Sequence, residues 1–142
     1  MKKIQTALLL LFFAAASLYA QNNIESSLKN NLTQLFSFSK EKSFDKAAVL
    51  IAYSGEDQNR NMKAHFDPSN KDEINQVKRV CKKISALLDL SSKYDFGKFE
   101  NKKTDSSELY LLDVTFLSGD QKLTTTFTFV KTNSGYLLLN VN

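Results

Sequence analysis

One cysteine and one histidine carry all the thiol and imidazole chemistry of this 142-residue chain. They are Cys81 and His65, 16 positions apart. A nucleophile–base arrangement of the Ser-His-Asp or Cys-His kind must therefore use His65. Its neighbourhood, Lys63-Ala64-His65-Phe66-Asp67, matches no catalytic signature. A zinc site wants three or four protein ligands, more than one His and one Cys supply, so no metal or other cofactor is expected. Cys81 falls on an apolar helical stripe, where a thiol is desolvated and inert, and it reads as core. Carboxylates with phenols leave one further route. Asp113 is the acid in the interior of the strongest strand pattern, and one acid with one tyrosine hydroxyl suffices for proton shuttling with an oxyanion donor. Tyr53, Tyr94 and Tyr110 are its candidate partners. Asp57 and Arg60, beside Tyr53 and Gly55, form a second polar group that is either the mouth of a ligand pocket or a turn network. An i,i+3 pair on an exposed helix adds only about 0.2–0.5 kcal/mol, which favours the turn network. These six residues, Tyr53, Asp57, Arg60, Tyr94, Tyr110 and Asp113, are the candidate ligand-binding set.

The elements that must position them change period halfway along the chain. Ile24, Leu28, Leu32, Leu35 and Phe36 recur at three- and four-residue steps and predict a first helix. Ser43 is a candidate N-cap for a second, with Phe44, Ala47, Ala48, Leu50 and Ile51 on its buried side and Gly55 as its stop. Residues 54–69 are irregular. A third helix is expected over about 70–90, introduced by Ser69 or Asn70 with Asp72 and Glu73 in its first turn. Ile74, Val77, Cys81, Ile84, Leu87 and Leu88 line one face of it, and Lys78, Arg79, Lys82 and Lys83 point elsewhere. That basic side is a solvated face or a surface for an acidic partner. The period then becomes two. Strands are expected over 94–99, 108–117, 123–131 and 136–141, with a polar connection at 102–107 and tight turns at 118–121 and 132–135. Tight turns make the strands antiparallel. Alternation places Tyr110, Leu112, Val114 and Phe116 on one face of the second strand and Leu111, Asp113 and Thr115 on the other. The Thr124-Thr125-Thr126 run with Thr128 reads as a β-branched strand with one solvated face.

The chain opens with Lys2 and Lys3, an apolar run from Ala7 to Ala16, and Leu18-Tyr19-Ala20 before polar Gln21. This three-part layout is that of a secretory signal peptide over residues 1–20, and the apolar run falls short of the roughly 20 residues a bilayer span needs. Cleavage after Ala20 would leave 122 residues, one domain's worth, over 21–142. No cysteine lies at the cleavage point, so the expected product is exported to the periplasm or beyond and is not a lipoprotein. Removing Lys2 and Lys3 from 19 basic residues leaves 17 against 15 acidic ones, a net charge of +2. The basic residues are dispersed among acids, which argues against a nucleic-acid partner. After cleavage no stable membrane insertion is expected.

Helix, helix, irregular segment, long helix and four-strand meander, with the Phe44-Asp45-Lys46-Ala47-Ala48 helix and the Tyr53-Ser54-Gly55-Glu56-Asp57 turn, resemble the nuclear-transport-factor-like fold of the cystatin-like group. The likeness covers about residues 24–142 and is to its small exported bacterial members. The resemblance implies an α+β roll in which a curved antiparallel sheet wraps a long helix. Enzymes of that superfamily, isomerases and dehydratases, hold acid, Tyr or His groups inside the cone, and no such set maps onto this chain. The expected function is therefore an exported binding domain for a small molecule or protein, without catalysis. The alternative is a pocket enzyme of isomerase or dehydratase type using an acid–tyrosine pair. A third reading, an inhibitor-like domain acting through residues 54–67, lacks the hydrophobic or Trp anchors that dominate binding hot spots.

Overall fold

A computed structural model describes the backbone of residues 2–104 and 107–142 and the side chains of residues 20–104 and 107–142. The side chains of the expected signal peptide up to Tyr19, and Asp105-Ser106 within the polar connection, lie outside the described residues. The chain is α+β: helices α1 (Lys2–Glu41), α2 (Phe44–Ala48) and α3 (Lys71–Asp89) precede strands β1 (Lys93–Lys103), β2 (Glu108–Ser118), β3 (Gln121–Thr132) and β4 (Gly135–Val141). The strands form one open antiparallel sheet in the order β1-β2-β3-β4. Gly119 and Gly135 take positive φ of 58° and 109° in the two tight turns, where a side chain would be strained. Among the described residues no helix is long and apolar enough to cross a membrane.

Periodicity set which faces close on each other. Leu28, Leu32, Leu35 and Phe36 of α1 are buried, as are Val77, Cys81 and Ile84 of α3. They meet Tyr110, Leu112, Val114 and Phe116 of β2 and Phe127 and Phe129 of β3 in one core. Ile74 and Leu88 are only half-buried at its margin. Fully burying each large apolar side chain is worth about 1.5–3 kcal/mol, which outweighs the weak amphipathic preferences of the separate elements. Phe36 is the hinge of the contact, with ring centroids 5.0 Å from Tyr94, 6.1 Å from Phe116 and 5.7 Å from Phe127. α1 thus reaches three strands through one residue. The start of α3 is fixed by Asn70, whose side-chain oxygen accepts from the amides of Asp72 at 3.0 Å and Glu73 at 3.3 Å.

The second helix departs from expectation. It stops at Ala48 instead of running to Gly55, and Ser43 makes no side-chain cap. Residues 50–52 extend the sheet: the Leu138 amide donates to Leu50 O at 2.9 Å and the Ala52 amide to Leu138 O at 2.7 Å, with Ile51 bridged in parallel to Leu138. Satisfying the open backbone groups of β4 wins over a few more residues of an isolated short helix, whose nucleus is costly. Ala52 also closes a small second core on the other face of the sheet with Val130 and Leu137, flanked by Met62, Leu109 and Leu139.

Candidate functional site

The six candidate residues fall into four separate places. Arg60 is the centre of the first. Its guanidinium is bidentate on Glu73, at 2.8 and 2.9 Å, donates to His65 O at 3.3 Å, and lies over the Tyr53 ring, 4.2 Å from the centroid. Glu73 is 6% exposed and also accepts from the Asp67 amide at 2.6 Å and Asn70 Nδ2 at 3.3 Å. Hydrogen bonding from Arg60 is the main cause that holds the Glu73 carboxyl below its ordinary range, against the opposing effect of burial. The Glu73 carboxylate is engaged by Arg60, the Asp67 amide and Asn70, so it ties residues 60–67 to the start of α3. A Cβ on Gly55 would sit 2.3 Å from the Tyr53 hydroxyl, so a larger residue there would force that ring to shift. Asp57 is not among the ion-pair partners of Arg60: its Oδ1 accepts from the Asn59 amide at 2.9 Å and shapes the turn. His65 Nδ1 is 2.7 Å from Phe66 O, which makes that nitrogen the protonated one.

Tyr94 is the second place. Its ring stands edge-on to Phe36 and Phe96, at 5.0 and 5.6 Å, as part of the aromatic layer between α1 and the sheet. Tyr110 is the third, 2% exposed and edge-on to Tyr136 at 5.0 Å. Burial, helped by the neighbouring Glu108 carboxylate, pushes its phenol up to about 12.

Asp113 is the fourth, on the face of β2 opposite Tyr110 and Val114. It is half-buried and accepts from the Thr126 hydroxyl at 2.7 Å. A β-bulge of β1 at Gly97-Lys98 lies across from it, and a Cβ on Gly97 would touch Asp113 Cβ at 3.4 Å. Beside it Thr115 and Thr124 share a hydroxyl hydrogen bond of 2.9 Å. The sheet therefore stands between Asp113 and the rings of Tyr94 and Tyr110, and no acid–phenol pair is assembled from these residues.

Cys81 is 1% exposed, and burial raises its thiol while the nearby Ser39 hydroxyl pulls weakly the other way. Among the described residues no group of three or more His, Cys, Asp or Glu side chains is placed to hold a metal ion. Asn31, within an Asn-Leu-Thr triplet, spends its side-chain amide on Tyr136 O at 2.7 Å and joins α1 to β4.

Concave surface lies elsewhere. A cleft of about 620 Å³ opens between residues 58–63 and the ends of β2 and β3, with Met62 and Val130 below and Lys63, Glu108 and Lys131 at its rim. A second, of about 490 Å³, runs between the end of α1 and α3 under Lys40, Lys42, Lys78 and Lys82. Sequence patterning does not reveal the second cleft, because Lys40 and Lys42 reach Lys78 and Lys82 only through the α1–α3 packing. The Glu73 partner of Arg60 was equally hidden: 13 positions separate them, outside any local spacing rule. Comparison with protein-family models, with curated proteins and with solved structures gives no match.

Proposed function

We propose that the chain is a small exported binding domain, a nuclear-transport-factor-like roll that engages a small molecule or protein without turning it over. The observation that carries this reading is the division of its reactive groups. Asp113 faces away from the helices, Tyr94 and Tyr110 face toward them, and Arg60 is consumed by Glu73. Proton transfer needs acid, phenol and substrate within hydrogen-bond reach of one another. Binding needs only a concave surface with a few polar groups, and both clefts offer that. The amino-terminal pattern of charge, apolar run and Ala20 supports export, and the helix-then-meander order supports the roll.

The test is recovery of the tagged chain from its own host, with Asp113→Asn and Tyr94→Phe variants beside it. The same co-purifying species, chemically unaltered, is expected with all three. Conversion of that species by the wild type and not by Asp113→Asn would make the protein an isomerase- or dehydratase-type enzyme.

A further inference from the structure

We propose that the cleft between the end of α1 and α3 is a binding site for a ligand carrying several phosphate groups. The proposal names a ligand chemistry for the binding reading above and rests on it. Four ammonium groups, those of Lys40, Lys42, Lys78 and Lys82, surround an opening of about 490 Å³ that holds one carboxylate, Asp89. Lys40 pairs with that carboxylate. Among the described residues Lys42, Lys78 and Lys82 pair with none. Lys78 instead lies 5.7 Å from the centre of the Phe44 ring, which walls the cleft and holds the ammonium in place.

Lysines at the end of a helix ordinarily complement its terminal carbonyls. Here two of the last four carbonyls of α1 are already met. Ser39 O accepts from the Ser85 hydroxyl at 3.0 Å and the Lys42 amide at 3.4 Å, and Phe38 O accepts from the Ser43 amide at 2.9 Å. The ammonium groups remain for another anion. The backbone adds an independent sign. Lys42 follows α1 with φ of 58°, the left-handed position where glycine is the common and unstrained choice. A lysine held there places a fourth positive charge at the rim of the cleft.

The kind of anion follows from the kind of cation. Among the described residues no arginine lines the cleft. Arginine's planar fork matches one carboxylate, whereas separate lysine point charges suit oxygens that point in several directions. Clustered phosphates have that geometry, either on a soluble ion or in phospholipid head groups.

Titration calorimetry of the purified protein with tripolyphosphate, and flotation with phosphatidylglycerol against phosphatidylcholine vesicles, separate the two sources. At least one probe is expected to bind saturably, with affinity falling tenfold or more between about 50 and about 500 mM salt as screening shortens. Lys42→Gly with Lys82→Ala is expected to weaken that binding at least tenfold. The same pair should leave the thermal midpoint at or above that of the wild type, since glycine relieves the left-handed position. Lys102→Ala with Lys122→Ala removes equal charge elsewhere and is expected to leave binding unchanged. Binding of vesicles alone assigns the site to lipid head groups, and binding of tripolyphosphate assigns it to soluble phosphates. Binding of neither probe, or equal loss in both double variants, would overturn the proposal. The co-purification experiment would still decide the broader binding reading.

Discussion

Glu73 is the acid on which the irregular segment depends. It is buried and holds Arg60, the Asp67 amide and Asn70 together. Glu73→Gln keeps the shape but loses the charge, and should cost about 1.5–3 kcal/mol in denaturant unfolding; the part-exposed Arg60 keeps the loss below that of a wholly buried pair. Its folded-state proton affinity is lowered, so its contribution is present above the ordinary glutamate range and is lost as pH falls through the depressed value. Stability should accordingly drop on acidification in the wild type and show less of that drop in Glu73→Gln. Tyr110 gives the opposite sign. Its phenol is raised to about 12, so its contribution is intact below the unfolded value near 10 and is lost as pH rises toward 12. Ultraviolet titration should find one tyrosine ionising about two units late, and Tyr110→Phe should remove that phase. Cys81 was legible from its stripe alone: native protein should resist thiol reagents that label it fully after denaturation. The partners of Arg60 and Tyr110 were not legible, because Glu73 and Tyr136 come to them through tertiary packing across the chain.

At the scale of elements, strong periodicity read true and short pieces did not. The stripe Val77, Cys81, Ile84 and the alternation Tyr110, Leu112, Val114, Phe116 each point to one buried face, and both faces are where the pattern put them. Ile84→Ala should therefore cost about 2–5 kcal/mol, the usual range for a buried isoleucine, measured by chemical unfolding. The segment after Ala48 carries the same apolar residues in a helical or an extended reading, and local sequence does not separate them. The open edge of β4 decides, by drawing residues 50–52 into the sheet. Ala52→Pro removes the amide that donates to Leu138 O and should destabilise the fold by about 3 kcal/mol or more, whereas a helical segment ending at Gly55 would feel a comparable change but leave the exchange of β4 amides untouched. Hydrogen exchange at the Leu138 amide, which donates to Leu50 O, reads the difference.

For the whole molecule, the α+β order was legible because helical and strand periods are segregated along the chain. The placement of clefts was not, since a cleft is made by the distances between elements and leaves no spacing in the sequence. The sheet is also a partition: the helices cover one face, and Asp113 with its threonine neighbours occupies the other. That partition keeps Asp113 apart from Tyr94 and Tyr110, and under the binding proposal the surface clefts are where a ligand would sit. Export and binding together form the central claim, and native mass spectrometry of the protein isolated from its host envelope tests both in one spectrum. The account predicts a chain beginning at Gln21 that retains a bound molecule or partner at fixed stoichiometry. A chain still carrying Met1, recovered from the cytosol with nothing bound, would contradict it.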